Sequence, residues 1–315
     1  MQKPSTLHSA AATTGKEYSF LGQECELALY SVGQGLVVGP LVYACCFSPR
    51  DTAAELIHYF DLRDNASLKE HVRLQKYQVI KKLNYSRLGF FVKAYHPREV
   101  SNELLRGDSN ARENITTLSY KTCKKLIKLV LARGFKIGMC YIGNCKACFN
   151  QSMQKRFYKD FPDINFQFDR KSIHNIPVLS CASILARMYR EEQMWKWDFE
   201  EGRAFSKDFG LGVPQMAKTL QWLNECKDMV FGYPTVIRFS NETIQKILFF
   251  ECVRINWFDL YNLRKGENEA DAFETPTNNQ QVSPFKQMLI ERQQMSPAMR
   301  YSFSEMTNMS RYFRL

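Results

Sequence analysis

The sequence predicts an α/β fold, because apolar strands and amphipathic helices alternate along it from Cys25 onward. The segment 116–133 carries Leu, Ile, Val and Cys at helical spacing, and Gly134 follows it as a typical C-terminal cap. The segment 164–169 alternates apolar and polar residues, as a half-buried strand does. The alternation of helical and strand periodicity along the chain predicts a sheet covered by helices.

The individual elements follow in chain order from the same two patterns. Strands are predicted over 26–33, 37–47, 87–95, 136–143 and 164–169. Helices are predicted over 69–82, 116–133, 147–160, 177–199, 215–225 and 241–256. Pro177 fits the first turn of its helix, where a missing N–H costs no hydrogen bond.

Composition divides the chain into three segments. Residues 1–23 are small and polar without apolar periodicity, which predicts a disordered N-terminal segment. Residues 24–261 carry the alternating pattern and are predicted to form one domain. Residues 262–315 are rich in Asn, Gln, Glu and Ser, which predicts a polar, partly disordered C-terminal tail.

The chain is basic, with 43 Lys and Arg against 32 Asp and Glu and a formal net charge of +11. A positive surface suits a polyanion, nucleic acid before an anionic membrane, although charge spread evenly over the surface is the alternative. No apolar run reaches the roughly 18 residues that a membrane helix needs, so no membrane partner is expected. Most cysteines fall in predicted strands and helices, as reduced buried thiols do, which indicates the nucleus or cytosol.

Two glycine-bracketed turns, Gly33-Gln34-Gly35 and Gly39-Pro40, interrupt the apolar stretch 29–43. Glycine there allows close backbone approach or a positive φ. The stretch resembles the opening motif of the type 2 ribonuclease H family (ribonuclease HII and the catalytic A chain of its eukaryotic complex), which reads D-E-A-G-R-G-P before a glycine-proline pair. The resemblance implies a ribonuclease H-like domain, with a central mixed sheet flanked by helices and a helical C-terminal extension.

Three further blocks resemble the family in its own order. Residues 141–144 read Y-I-G-N, where the family has a strand ending in aspartate, as in Y-V-D-T. Residues 177–187 resemble the family helix P-V-V-S-A-A-S-I-x-A-K, and residues 230–240 resemble the segment V-F-G-F-P-x-x-V-R-F-S. Four blocks in order, at fitting distances, make the resemblance specific over about residues 26–248.

The resemblance implies endonucleolytic cleavage of RNA in RNA–DNA hybrids and at ribonucleotides in DNA. In active members four carboxylates hold two Mg²⁺ or Mn²⁺ ions, which activate water and stabilise the leaving 3′ oxygen. Here the four positions carry Tyr30, Ser31, Gly143 and Glu191, so only Glu191 is acidic. The sequence therefore predicts that no metal cofactor is bound and that cleavage is lost or strongly impaired, with Glu191 the one remaining catalytic candidate.

The positions that contact nucleic acid in the family differ as well. The family's G-R-G turn corresponds to Gly33, Gln34 and Gly35, and the tyrosine that stacks below the 2′-hydroxyl-bearing sugar corresponds to Val213. Lys171 keeps the lysine of the family's K-A-D motif. These five residues are the predicted nucleic-acid-binding positions. Without the arginine and the tyrosine, binding is expected to ignore the 2′-hydroxyl that distinguishes RNA from DNA.

Less specific interpretations apply to the same residues. Tyr30 and Ser31 either belong to a different chemistry or, as we favour, are strand residues that repacked after metal binding was lost. Glu191 either ligates a cation or is an ion-paired helix residue beside Arg187 and Arg190, which is the favoured interpretation.

Three hypotheses for function follow. The favoured one is a non-catalytic protein that binds an RNA–DNA hybrid or duplex DNA, or that assembles with the two accessory subunits (B and C) which the resemblance implies. The second is an active endonuclease with a relaxed metal site built on Glu191 and either Asp169 or Glu192. The third is a protein-interaction module without affinity for nucleic acid. A nuclear location is expected, with the cytoplasm as the alternative.

Overall fold

The computed structural model describes residues 7–9, 18–52, 68–105, 114–146, 150–169, 176–201 and 204–253. The chain divides into two compact units, residues 1–250 and 251–315. The second unit is described only over residues 251–253, so the boundary at residue 262 and the tail beyond it stay predictions. None of the described helices is both long and apolar enough to span a bilayer.

A mixed six-stranded sheet forms the centre of the first unit. Its strands are β1 (Leu7–Ser9), β2 (Glu24–Val32), β3 (Leu41–Pro49), β4 (Gly89–Tyr95), β5 (Lys136–Gly143) and β6 (Asn165–Asp169), in the order β1-β4-β3-β2-β5-β6. The first four pair antiparallel, whereas β2, β5 and β6 run parallel. Because parallel strands end at the same edge, the C-terminal ends of β2, β5 and β6 meet there.

Seven helices are described. They are α1 (Glu70–Leu83), α2 (Pro97–Leu105), α3 (Ile115–Ala132), α4 (Gln151–Asp160), α5 (Pro177–Trp195), α6 (Ala217–Cys226) and α7 (Glu242–Glu251). The side chains of Asn114 and Asn150 cap α3 and α4 by accepting a backbone N–H three residues on. The pattern did not predict α2, a short helix that begins at Pro97.

The two faces of the sheet are covered by different helices. Alternate residues of β2, such as Leu27 and Leu29, pack into one core with α3 and α4. Their neighbours Ala28 and Tyr30 face the opposite side, where they pack with α1 and α5. The predicted layering, with helices on both sides of a mixed sheet, is therefore confirmed.

The predicted strand over 37–47 begins only at Leu41. Gly39 has a φ of +81°, which breaks the extended conformation, and Pro40 lacks an N–H for the ladder. Val38 instead forms a backbone bridge with Ile237 and packs in a third apolar cluster with side chains of α6 and α7. Residues 33–40, hereafter the 33–40 turn, thus join the sheet to the C-terminal helices.

The N-terminal segment contains ordered residues. Within the predicted disordered stretch 1–23, Leu7–Ser9 form β1, and Tyr18 and Phe20 are buried against Phe135. Isolated aromatic side chains give no periodic signal, so the sequence pattern did not indicate these contacts. Helix α5 likewise ends at Trp195 and not at residue 199.

Candidate functional site

Tyr30 and Gly143 lie side by side where β2 and β5 end, since they are direct partners in the parallel register. The Tyr30 ring is 3% exposed and packs on the α5 side of the sheet. A Cβ added at Gly143 would lie 3.3 Å from Tyr30 Cδ2 and 3.1 Å from Leu179 Cδ1. The tyrosine and a leucine of α5 therefore leave little room for any side chain at position 143.

Ser31 cross-links the same two strand ends by hydrogen bonds. Its Oγ donates to Asn144 O at 2.6 Å, and Asn144 Nδ2 donates to Ser31 O at 2.8 Å. Ser31 is fully buried, and Asn144 has a φ of +50°, a conformation that asparagine tolerates better than most residues. Two direct bonds thus hold together strand ends that in the resembling family converge on metal ions.

Replacing Ser31 with alanine should lower the free energy of unfolding by about 1–2 kcal/mol, because Asn144 O would lose its partner inside the protein. Urea unfolding followed by circular dichroism measures the change. Ser206→Ala is the control, since Ser206 Oγ accepts a single exposed backbone bond. Equal small effects of both substitutions would contradict a structural role for the cross-link.

Glu191 is ion-paired, but its partner differs from the expected one. Arg73 of α1 donates from Nη2 to Glu191 Oε1 at 3.2 Å, whereas the sequence pointed to Arg187 and Arg190. Glu192 binds Lys196 at 2.6 Å, and that ammonium keeps the pKa of Glu192 below its usual value. Both carboxylates on this stretch of α5 therefore have cationic partners from the protein itself.

Two arginines hold the 33–40 turn: Arg238 is buried and Arg190 is half-buried. Arg238 donates from Nε to Gly39 O at 2.8 Å and from Nη1 to Gly33 O, and Arg190 donates from Nη2 to Val38 O at 2.8 Å. Burial lowers the pKa of Arg190 to about 10 and that of Arg238 to about 9, the latter helped by the charge of Arg190. Sequence reasoning missed both residues as part of the site.

Among the predicted nucleic-acid-binding residues, Gln34 points its side chain towards the interior of the protein. Its Nε2 donates to Ser119 Oγ at 2.9 Å and to Tyr43 Oη at 3.3 Å. Gly33 has a φ of +97° and is buried, whereas Gly35 is exposed. Gly35 is therefore the one residue of this glycine pair that a ligand reaches directly.

The loop that carries Val213 lies against the 33–40 turn. Val37 N donates to Gly212 O at 2.9 Å, and Val213 is half-buried beside this bond. Lys171 lies outside the described residues, as does the side chain of Asp169. The backbone of Asp169 pairs with Gly143, so β6 ends beside the Tyr30–Gly143 pair.

The residues at this edge do not fit the two metal ions that the resemblance implies. Mg²⁺ and Mn²⁺ need oxygen ligands, mainly carboxylates, around two positions about 4 Å apart. The Tyr30 ring is packed in the core, the Ser31 hydroxyl donates to Asn144 O, and the Glu191 carboxylate is ion-paired with Arg73. No group of three or more His, Cys, Asp or Glu that could hold a metal occurs in the described part of the chain.

Known proteins resemble this chain in both sequence and fold. A family model described as Ribonuclease HII matches residues 31–244. The A chain of ribonuclease H2 from Homo sapiens is 30% identical over 238 residues, which cover 75% of this chain and 77% of that protein. The A chain of ribonuclease H2 from Arabidopsis thaliana is 32% identical over 221 residues, covering 69% and 71%.

Solved structures agree with this result at the level of the fold. The ribonuclease H2 of Pyrococcus horikoshii OT3 matches with a TM-score of 0.56 and 19% identity, covering 71% of this chain and 97% of that one. The RNase HII of Archaeoglobus fulgidus, from its complex with PCNA, matches with a TM-score of 0.51 and 18% identity, covering 79% and 100%. The predicted ribonuclease H-like fold is confirmed, and the chain belongs to the ribonuclease HII family, as a relative of the A chain of ribonuclease H2.

Proposed function

We propose that this chain is a non-catalytic member of its family, which binds nucleic-acid duplexes or assembles with partner subunits but does not cleave. The observation that carries the proposal is the pairing of Tyr30 with Gly143 across β2 and β5. The ring occupies the space beside the glycine, at a place where active members bring carboxylates together. The Ser31–Asn144 cross-link supports the same conclusion, because it stabilises the strand ends without a metal ion.

Loss of cleavage follows from the chemistry of the ligands. Two-metal hydrolysis needs enough negative charge to hold two divalent cations close together. Glu191 is a single carboxylate and already neutralises Arg73 at 3.2 Å. One such group does not offset the repulsion between two metal ions. Contacts with a polyanion remain as a role for the chain, since its formal net charge is +11.

One observation favours the second hypothesis, an endonuclease with a relaxed metal site. The backbone of Asp169 ends β6 in register with Gly143, so the chain has an acidic residue at this edge of the sheet. Together with Glu191 it supplies at most two acidic ligands, which suits a single weakly bound cation better than two. This hypothesis differs from the favoured one in a single measurable property, incision.

The test compares one labelled DNA duplex with and without a single ribonucleotide, in Mg²⁺ and in Mn²⁺. We expect no incision in either metal, with an active ribonuclease HII as the positive control. We expect the two duplexes to bind within about tenfold of each other, or roughly 1.4 kcal/mol, and to bind more weakly as salt increases. The reason is that Val213 and Gln34 stand where the family reads the sugar.

Three outcomes separate the hypotheses. Incision that Glu191→Ala abolishes and that the control Glu225→Ala, an exposed carboxylate on α6, leaves intact would establish the relaxed-site endonuclease. A preference above about tenfold for the ribonucleotide would show that a sugar-reading contact survives in this chain. Absence of binding to either duplex at low salt would leave protein interaction as the remaining function.

A further inference from the structure

The two helices α3 and α4 carry most of the net positive charge of this chain. They hold seven basic residues and one acidic residue: Lys121, Lys124, Lys125, Lys128, Lys155, Arg156 and Lys159 against Asp160. The surplus of six compares with a formal net charge of +11 for all 315 residues. Because the two helices have only 18 and 10 residues, the charge is concentrated in a short part of the chain and is not spread evenly along it.

The helices are fixed side by side, so their charges form one surface. The Tyr120 ring of α3 packs against Phe157 of α4 with 4.8 Å between centroids. Asp160 accepts a hydrogen bond from Tyr120 Oη and forms an ion pair with Lys124 Nζ at 2.7 Å. Lys124 holds the pKa of Asp160 below its usual value. The one carboxylate of the two helices is therefore paired within the protein, at the seam between α3 and α4.

The remaining basic residues are exposed on both sides of this seam. Lys121, Lys125 and Lys128 follow one another at helical spacing, so they form a stripe about 10 Å long on α3. Duplex DNA has one phosphate per about 3.4 Å of axis on each strand, so such a stripe spans about three phosphates. On α4, Lys155 and Lys159 are exposed and line a surface groove together with Ser152.

We propose that this basic face (Lys121, Lys125, Lys128, Lys155, Arg156 and Lys159) binds the sugar–phosphate backbone of a nucleic-acid duplex. The inference rests on the proposed function and adds a second contact surface, outside the site at the strand ends. The 33–40 turn lies next to the start of α3, because Gln34 donates to Ser119 in the second turn of that helix. A duplex that crosses Gly35 therefore continues along α3, away from the strand ends.

The chemistry of the face favours a duplex over a membrane surface. A helix that binds in a membrane interface buries an apolar face among the acyl chains. On α3 and α4, all of whose residues the structure describes, the large apolar side chains that are exposed are Leu131 and Tyr158, at 36% and 48%. Tyr158 Oη donates to Phe166 O of the edge strand, so this side chain is already engaged with the protein.

The experiment measures the affinity of the full chain for an all-DNA duplex as salt is raised from about 50 to 200 mM. The variant Lys125→Gln, Lys155→Gln, Lys159→Gln removes three charges from the face. The matched control Lys81→Gln, Lys82→Gln, Lys246→Gln removes three charges elsewhere on the surface. We expect the face variant to lose at least about tenfold in affinity at 0.1 M salt and about three units of salt slope.

We expect the control variant to stay within about twofold of the unmodified chain, because charges far from the contact are screened. Equal losses in both variants would mean that net charge alone attracts the duplex and would overturn the proposal. Unchanged binding of the face variant would also overturn it while leaving the proposed function standing. If the unmodified chain binds vesicles containing phosphatidylserine but no duplex, both the inference and the duplex-binding function fail.

Thermal unfolding checks that each variant is folded. Substitutions of exposed lysines usually change stability by less than about 0.5 kcal/mol. The single charge reversal Lys159→Glu serves as a second variant, and we expect it to weaken duplex binding more than the control Lys82→Glu does.

Discussion

Replacing Gly143 with aspartate is expected to destabilise the protein by about 3–5 kcal/mol, because it buries an unpaired carboxylate among apolar side chains. Even the Cβ would lie 3.1 Å from Leu179 Cδ1 and 3.3 Å from Tyr30 Cδ2. The substitution restores an acidic residue at the position where the family has one. The expected loss in the free energy of unfolding therefore measures how tightly Tyr30 and Leu179 pack against position 143.

Urea unfolding of Gly143→Asp and of the control Gly143→Ala separates the charge from the added bulk. Burial raises the pKa of the introduced carboxyl above its unfolded value of about 3.9. The charged carboxylate therefore lowers the free energy of unfolding by its full amount only when the pH is above the folded pKa. The difference in the free energy of unfolding between Gly143→Asp and Gly143→Ala should become smaller as the pH falls towards about 4. Adding Tyr30→Ala to Gly143→Asp should recover part of the loss, since the ring is the obstacle.

A loss below about 1 kcal/mol would contradict this account, because it would mean that the site still accepts a carboxylate. A further contradiction would be a Gly143→Asp variant that Mg²⁺ or Mn²⁺ stabilises. Either result would favour the relaxed metal site over the repacked one.

Replacing Arg238 with alanine is expected to cost about 3–5 kcal/mol, because it removes the charged donor that two backbone carbonyls share. Arg238 is 3% exposed, and it binds Gly39 O at 2.8 Å and also Gly33 O. Arg190 keeps its bond to Val38 O at 2.8 Å, but alone it does not hold both ends of the turn. The 33–40 turn should then open more often than the strands beside it.

Two further variants make this result specific. Arg238→Met fills much of the same volume without donors, so it separates the lost hydrogen bonds from the cavity. Arg50→Ala is the control, since Arg50 is 75% exposed in its side chain and meets Glu26 only at 3.9 Å, which predicts a change below about 0.5 kcal/mol. Hydrogen exchange of the amide of Gly39, which bonds to Val236 O, reports on the turn directly. If Arg238→Met were as stable as the unmodified protein, the hydrogen bonds of Arg238 to the turn would only offset the cost of burying its charge. That result would contradict the prediction.

Local sequence patterns predicted most of the fold, because long helices and buried strands carry strong periodicity. The elements α3, β5 and β6 lie within one or two residues of their predicted bounds. The pattern failed at α2, which has nine residues, and at the 33–40 turn, where apolar side chains pack outside any regular strand. Short helices and irregular apolar turns give too few repeats for a period to be recognised.

The sequence predicted individual positions of the candidate site, but it did not predict the contacts between them. Motif order identified Tyr30, Ser31 and Gly143 as the places where acidic residues are missing. It did not indicate that Glu191 pairs with Arg73, because the two residues are 118 positions apart and belong to different helices. Arg238 stood in a recognised block, yet its bond to Gly33 spans 205 positions.

Residue type and local order were enough to identify the family, to predict the layered fold and to place Tyr30, Ser31 and Gly143 where the resembling motifs have acidic residues. The folded structure was needed to reveal what surrounds those positions: a tyrosine ring against a glycine, and a serine bonded to an asparagine. It also placed the lysines of α3 and α4 on one surface by joining the helices at Tyr120, Phe157 and Asp160. Contacts of this kind depend on which distant side chains the folded backbone brings within a few ångströms, and no local pattern encodes that distance.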